Sequence, residues 1–219
     1  TRLSNSTWPR AATRLGPPLR SAIGSRQISS RVATLTRQCW LFAIGSSLFA
    51  AATIPGLSAV AGAGFANLLC FIGSWFFTTA GWMQLVLSGP AMRIGWLSAA
   101  AQFAGTILFN ISTGAALWAH AVKPERRLVW APDATGSLAF LLSGVLGVVA
   151  VTAVVGIVEL KSRDWQSEWI NMIGCVAFAV SALGAFVSET GVTEDAVLAN
   201  TGTFIGALCF LIAALVILP

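Results

Sequence analysis

The fold is decided by residues 137–158, which read SLAFLLSGVLGVVAVTAVVGIV and contain no charged residue. Apolar residues occupy every face that a helix over this stretch would present, which is typical of a helix buried in lipid. A membrane-spanning helix needs about 20 mostly apolar residues. Six stretches meet or approach this length, and they predict an all-α integral membrane helical bundle with spans at 39–56, 64–87, 94–118, 137–158, 168–187 and 196–218.

The composition of the whole chain leads to the same conclusion. Hydrophobic residues make up 56% of the 219 residues and charged residues only 10%, and the mean hydropathy is +0.80. In a soluble domain, roughly a quarter of the residues are charged. So few charges cannot cover a surface that faces water, whereas a surface that faces lipid needs none.

The first of these spans is the shortest and the least regular. Thr53, Pro55 and Gly56 end its apolar run early. A re-entrant hairpin over residues 39–87 is therefore an alternative to two full spans. Two spans are favoured because Trp40 and the tryptophans between residues 75 and 82 occupy positions expected at the membrane interface.

An arginine-rich segment precedes the first span. Residues 1–40 hold seven arginines and no Asp or Glu. Basic residues beside a bilayer favour the cytoplasmic side and bind anionic lipids. We therefore expect Arg26, Arg31 and Arg37, together with Arg93 of the second connection, to contact lipid headgroups at the inner surface.

Two other roles for this segment have to be weighed. It resembles a transit peptide because it is rich in Arg and Ser and lacks acids, but Pro17, Pro18 and Gly24 predict that no long amphipathic helix forms there. Nucleic-acid binding is not expected, because Trp8 is the one aromatic side chain before the first span that could stack on a base.

The distribution of Lys and Arg predicts the orientation. With the N-terminus inside, the inner segments carry ten basic residues and the outer loops three. The sequence thus predicts a multi-pass protein of the plasma membrane with both termini in the cytoplasm. The outer connection that holds Lys123, Arg126 and Arg127 is expected to form a short element on the membrane surface.

Two parts of the chain resemble each other. Residues 40–50 match residues 169–179 at an offset of 129, with Trp40 opposite Trp169 and Gly45 opposite Gly174, and residues 66–77 match residues 199–210 at an offset of 133. The match predicts a parallel duplication of one helical hairpin. It divides the chain into a basic tail (1–38), a first hairpin (39–88), a two-helix insertion (89–160, outer loop 119–136) and a second hairpin (161–219).

The hairpin resembles a known membrane module. The residues that carry the resemblance are Ile44 to Phe49 and Phe71 to Phe77, which resemble the YrhK-type module. The stretches 109–113 and 127–137 resemble actinobacterial multi-pass proteins with two such modules, although Ala131 stands where a basic residue is expected. The resemblance covers residues 38–218 and implies architecture more than chemistry. Its context suggests an accessory subunit of an Mce-type lipid importer.

The sequence contains no pattern typical of an active site, a cofactor site or a metal site. Acidic and basic residues map to the tail, the loops and the helix ends, whereas pumps and carriers place them at mid-membrane. The four cysteines are expected to be small buried hydrophobic residues. A lipid-acting enzyme would have to use His120 and the loop Lys123 to Asp133, and this stays the third hypothesis.

Uncharged polar and small residues inside the spans are expected to hold helices together or to contact a partner. Asn67 and Asn200 occupy matching positions, which predicts a symmetric contact between them. The predicted packing or partner-contact residues are Gly45, Ser46, Asn67, Gly73, Asn110, Gly174, Asn200, Gly202 and Gly206.

These features favour a non-catalytic accessory or scaffolding subunit. Its expected partners are other integral membrane proteins, such as transporter permease subunits, and membrane lipids. The alternative is a small transporter or channel for a neutral or lipid-like solute. That alternative predicts a pore or cavity lined by Asn67, Asn110 and Asn200.

Overall fold

A computed structural model describes residues 17–89 and 93–219, and these residues are almost entirely helical. The predicted all-α class is confirmed. The part of the basic tail at residues 1–16 lies outside the described residues. The helices are α1 (Pro17–Ala52), α2 (Leu57–Ala61), α3 (Ala63–Leu87), α4 (Ile94–Ala115), α5 (Val122–Pro124), a π-helical turn (Glu125–Trp130), α6 (Ala131–Val155), α7 (Arg163–Gly184) and α8 (Ala196–Val216).

Five helical segments of the described chain are long and apolar enough to cross a membrane. They are α3, α4, the continuous segment Val122–Val155, α7 and α8. The apolar part of α1 ends at Ala52 and not at residue 56. From Cys39 it extends for about 21 Å, which is shorter than the roughly 30 Å core of a bilayer.

The helices form a closed ring. Each of α1, α3, α4, α6, α7 and α8 packs against the next one along the chain, and α8 packs back against α1. The closest packing lies within three hairpins, α1–α3, α4–α6 and α7–α8. The segment 39–87 therefore contributes two packed helices, α1 and α3, to this ring. The choice between two full spans and a re-entrant hairpin for this segment stays a prediction.

Reciprocal contacts between Gly and Phe explain why the two helices of a hairpin approach so closely. In α4–α6, a Cβ added at Gly105 would lie 2.6 Å from the Phe140 ring, and one added at Gly136 would lie 2.8 Å from the Phe109 ring. The same exchange joins Gly45 and Gly73 with Phe77 and Phe49, and it joins Gly174 and Gly206 with Phe210 and Phe178. Each ring therefore occupies the space that a side chain on the facing glycine would need.

The structure differs from the sequence predictions in two local features: residues 17–31 are helical, where Pro17, Pro18 and Gly24 were expected to interrupt an amphipathic helix, and the surface element predicted around Lys123 was wrong. Helix α1 begins at Pro17 and runs through Gly24, because proline is tolerated in the first turn of a helix and a single glycine costs only about 1 kcal/mol. The connection that contains Lys123 is no separate surface element, since its helical turns continue into α6. Pro132 lacks the N–H that would bond to Leu128, and the helix widens into the π-turn just before it.

Candidate functional site

Six phenylalanines, one from each helix of the ring, fill its centre. They are Phe49, Phe77, Phe109, Phe140, Phe178 and Phe210, and each is at most 5% exposed. Each follows a glycine of its own helix by four residues, so the same Gly-x-x-x-Phe spacing occurs in all six helices. We call this group the phenylalanine plug.

The plug is made of two layers. Phe49, Phe109 and Phe178 come from the first helices of the three hairpins, and their ring centroids lie 5.6 to 6.4 Å apart. Rings from the second helices pack on them, with Phe109 and Phe140 stacked at 4.9 Å. The void left between the rings is about 10 Å³, which is at the lower limit for one water molecule. Because only apolar atoms border it, the centre of the ring is dry.

A polar chamber of about 60 Å³ lies on one side of the plug, at the end of the ring where the chain terminates. We call this side the terminal end. Polar side chains from four helices line the chamber: Gln38, Gln84, Gln102, Ser167, Glu168 and Asn171. Gln38 and Gln102 are only 6% and 3% exposed. The Oε1 atoms of Gln84 and Gln102 have no hydrogen-bond partner.

The chamber continues into a wider vestibule of about 390 Å³. Gln38, Gln84, Ser167 and Glu168 border both spaces. Asp164 lies one turn before Glu168 on α7. It borders the vestibule but not the chamber. The described residues around the two spaces include no Lys, Arg or His, so both spaces favour positive charge.

A glycine on the neighbouring helix makes room for the Glu168 carboxylate. A Cβ at Gly147 of α6 would collide with Glu168 Oε2, and it would lie 3.3 Å from Ser98 Oγ. Ser98 is itself fixed, because its hydroxyl donates to Ser143 O at 2.9 Å while Ser143 Oγ donates to Ser98 O at 2.8 Å. The carboxylate is thus packed into the ring against α6.

A second polar recess of about 260 Å³ lies on the other side of the plug, which we call the loop end. Glu125, Asp133, Asn200 and Thr203 border it together with Ser112 and Ser181. Trp130 closes one wall, because its Nε1 donates to Ala182 O at 2.9 Å and its ring packs edge-on against Phe186. Polar spaces that contain carboxylates therefore lie on both sides of the plug.

The predicted small packing residues pack inside the ring. Gly45, Gly73, Gly174 and Gly206 face a phenylalanine of their hairpin partner. A Cβ at Gly202 would lie 2.8 Å from Ser181 Cβ and 2.9 Å from Ala177 O. These five glycines therefore pack helix against helix within the ring. Ser46 is fully buried and its hydroxyl has no partner.

The asparagines are separated, and the predicted symmetric contact between Asn67 and Asn200 was wrong. Asn67 Nδ2 donates to Ala116 O at 3.0 Å, at the end of α4. Asn110 Nδ2 donates to Thr78 Oγ1 at 2.7 Å, and its Oδ1 is unpaired. Asn200 is exposed and borders the loop-end recess. Of the three asparagines, only Asn200 borders one of the cavities described above, so none of these cavities is lined by all three.

The predicted lipid-contacting arginines lie at the terminal end or before it. Arg37 and Arg93 are exposed. Arg26 and Arg31 belong to α1, and their side chains lie outside the described residues. Among the remaining candidates, His120 is exposed, and all four cysteines are free, with Cys39 and Cys175 buried. The expectation that cysteines act as small buried groups is met at these two positions.

Sequence reasoning missed the plug and the chamber. The signal for the plug was present: Gly105 with Phe109 and Gly136 with Phe140 repeat the spacing already seen in the outer hairpins. The predicted duplication of one hairpin stays a prediction, and the Gly–Phe contact itself is common to all three hairpins. Glu168 was read as a charge at a helix end, and nothing in its local sequence indicates that it faces the ring interior.

Comparisons with known proteins give no match: no family model, no curated protein and no solved structure matches the chain.

Proposed function

We propose that this protein lets a small polar solute cross a membrane through the interior of its helix ring, with the phenylalanine plug as the gate. The observation that carries the proposal is the order of three environments along the axis of the ring. From the terminal end to the loop end they are a polar chamber, a dry aromatic constriction and a second polar recess. Hydrophobic constrictions of this kind close channels by excluding water.

The energetic cost of the chamber supports the same proposal. Polar and charged groups inside a membrane protein are expensive and by default mark a functional site. A bundle that served only for packing would gain by filling both ends of its interior with apolar side chains, as it does at the centre. Here Gln102 is 3% exposed with an unpaired oxygen, and Glu168 also lines the chamber.

The test is solute flux into liposomes that contain the purified protein. We would measure uptake of radiolabelled rubidium, methylammonium and glycerol by the wild type and by Phe178→Ser, which introduces a hydroxyl between four neighbouring rings. We expect flux of at least one probe above that of protein-free liposomes, and an increase of about tenfold in the variant, equivalent to a barrier lower by about 1.4 kcal/mol.

The matched control is Phe65→Ser, at a phenylalanine that is 48% exposed. Its flux should equal that of the wild type. Both variants are first checked for a monodisperse elution profile and unchanged helicity. If all three proteins are folded and none of the probes enters faster than into empty liposomes, the transport proposal is wrong.

A non-catalytic accessory subunit is the second proposal, and the length of α1 favours it. This helix begins at Pro17, and Gln38 is the first buried residue among those of α1 whose side chains are described. Such an extension suits binding to a partner subunit or to lipid headgroups. Native co-purification of a transporter subunit with the full chain, and its loss when residues 1–31 are deleted, would support this proposal. An association with lipid transport rests on the resemblance alone.

A further inference from the structure

We propose that the chamber at the terminal end is a binding site for one monovalent cation, either an alkali metal ion or a small primary ammonium, held by Glu168, Gln84 and Gln102. The inference deepens the proposed transport function by naming the solute class. The physiological role of the cation site rests on the proposed transport function. The existence of the site does not, because cation binding can be measured without measuring flux.

The first argument is the state of the amides. Gln102 is almost completely buried in the wall of the chamber, and its Oε1 lacks a hydrogen-bond partner, as does that of Gln84. An unpaired polar atom in such a place costs about 1–3 kcal/mol. The penalty is removed when a ligand that carries positive charge or N–H groups is bound to these oxygens.

The second argument is charge. Glu168 is the one carboxylate among the described residues that border the chamber. The nearest arginine along its helix, Arg163, is already occupied: its Nε and Nη2 donate to Val216 O and Leu218 O at 2.5 and 2.7 Å, at the end of α8. Asp164 at the vestibule adds a second negative charge on the path to the chamber.

The third argument selects a monovalent ligand. One carboxylate neutralises one positive charge, and amide and hydroxyl oxygens supply the remaining hard ligands. Calcium sites use six to eight oxygens, with several of them from carboxylates, and no group of three His, Cys, Asp or Glu within residues 17–89 and 93–219 is placed to hold a metal ion. Alkali ions and primary ammonium groups are both monovalent cations that bind carboxylate and amide oxygens, so this set of ligands suits either of them.

The geometry also fixes the position of the charge. Because Gly147 has no side chain, the carboxylate of Glu168 packs against α6, next to the Ser98–Ser143 pair. A side chain at residue 147 would force the carboxylate away from this position. The site therefore depends on a glycine that lies on a different helix from all three proposed ligands.

Binding is tested by isothermal titration of the full chain in detergent with NaCl, KCl or methylammonium chloride, at constant ionic strength kept by N-methyl-D-glucamine chloride. We expect saturable binding of one cation per chain. The salt that binds most tightly distinguishes an alkali ion from an ammonium ligand. Glu168→Gln and Gln102→Leu should each weaken binding by about tenfold or more, which corresponds to 1.4 kcal/mol.

The matched control is Glu194→Gln, which removes an exposed carboxylate at the loop end and should bind as the wild type does. Glu168→Asp keeps the charge on a shorter side chain, and should bind more weakly than the wild type but better than Glu168→Gln. The cation site is wrong if the folded wild type binds none of the three cations. It is also wrong if Glu168→Gln binds normally, or if Glu194→Gln loses binding equally.

Failure of the site and failure of the transport function give different results. Saturable binding that requires Glu168, without flux of any probe into liposomes, supports the site and contradicts transport. Flux of a probe by a folded protein that binds none of the three cations contradicts the cation site and leaves transport intact.

Discussion

The centre of the helix ring and its terminal end are built from the same six helices but in opposite ways. At the centre, every helix contributes a phenylalanine, and the rings leave almost no free volume. Two turns away, at about 10 Å along the helices, the residues that border the chamber include Gln84, Gln102 and Asn171. All three lie seven residues from the phenylalanine of their own helix.

This difference separates a region that stabilises the ring from a region that we propose binds a solute. The plug makes many aromatic contacts and needs no ligand, so it stabilises the fold. The chamber exposes unpaired amides and a carboxylate to a confined space, so it costs stability in the absence of a ligand. The two regions should consequently respond to mutation with opposite signs.

The largest effect is expected at the plug. Phe140→Ala removes a ring that stacks on Phe109 at 4.9 Å and contacts Phe178 and Phe210 at 6.1 and 5.8 Å. A large-to-small substitution of this kind in a packed core costs about 3–5 kcal/mol. The free energy of unfolding, measured by titration with a denaturing detergent, should fall by that amount.

An exposed ring provides the control for this comparison. Phe65→Ala, at a site that is 48% exposed, should change the free energy of unfolding by less than about 1 kcal/mol. Equal losses at Phe140 and Phe65 would contradict the view that the plug is the stabilising core.

A smaller loss is expected when the hairpin contact is crowded. In Gly105→Ala, the new Cβ would lie 2.6 Å from the Phe140 ring and 3.1 Å from Gly136 O, and overpacking of a core costs about 1–3 kcal/mol. Gly95→Ala on the same helix meets nothing within 4 Å and should be neutral or slightly stabilising. A stability of Gly105→Ala equal to that of Gly95→Ala would show that the hairpin packs less closely than described.

The sequence predicted the spans well because lipid imposes a simple requirement. The predicted spans 64–87, 94–118 and 196–218 correspond to Ala63–Leu87, Ile94–Ala115 and Ala196–Val216, since an unbroken apolar run has few alternatives to a spanning helix. The first span was the exception. Hydropathy locates the start of its short apolar run but not the start of the helix, which begins at Pro17 in a polar segment.

The interior of the ring was harder to predict. In a helix that is apolar on every face, periodicity does not identify the face that points inward. The glycine four residues before each plug phenylalanine marks that face, because a ring from the hairpin partner occupies the space beside it. For Glu168, the deciding residue is Gly147 on α6, a contact between two helices that no local pattern in either one specifies.

The smallest effect, and the one with the opposite sign, is expected at the chamber. Gln102→Leu replaces a buried amide with an unpaired oxygen by an apolar side chain of similar size, and we expect the free energy of unfolding to rise by about 1 kcal/mol without cations. Gln166→Leu is the matched control, because its amide donates to Leu160 O; removing that bond should lower stability slightly. With a saturating cation the advantage of Gln102→Leu should disappear, because only the wild type then gains binding energy. A loss of stability at Gln102 without any cation would instead mean that the amide is a structural group and that the two regions do not differ in kind.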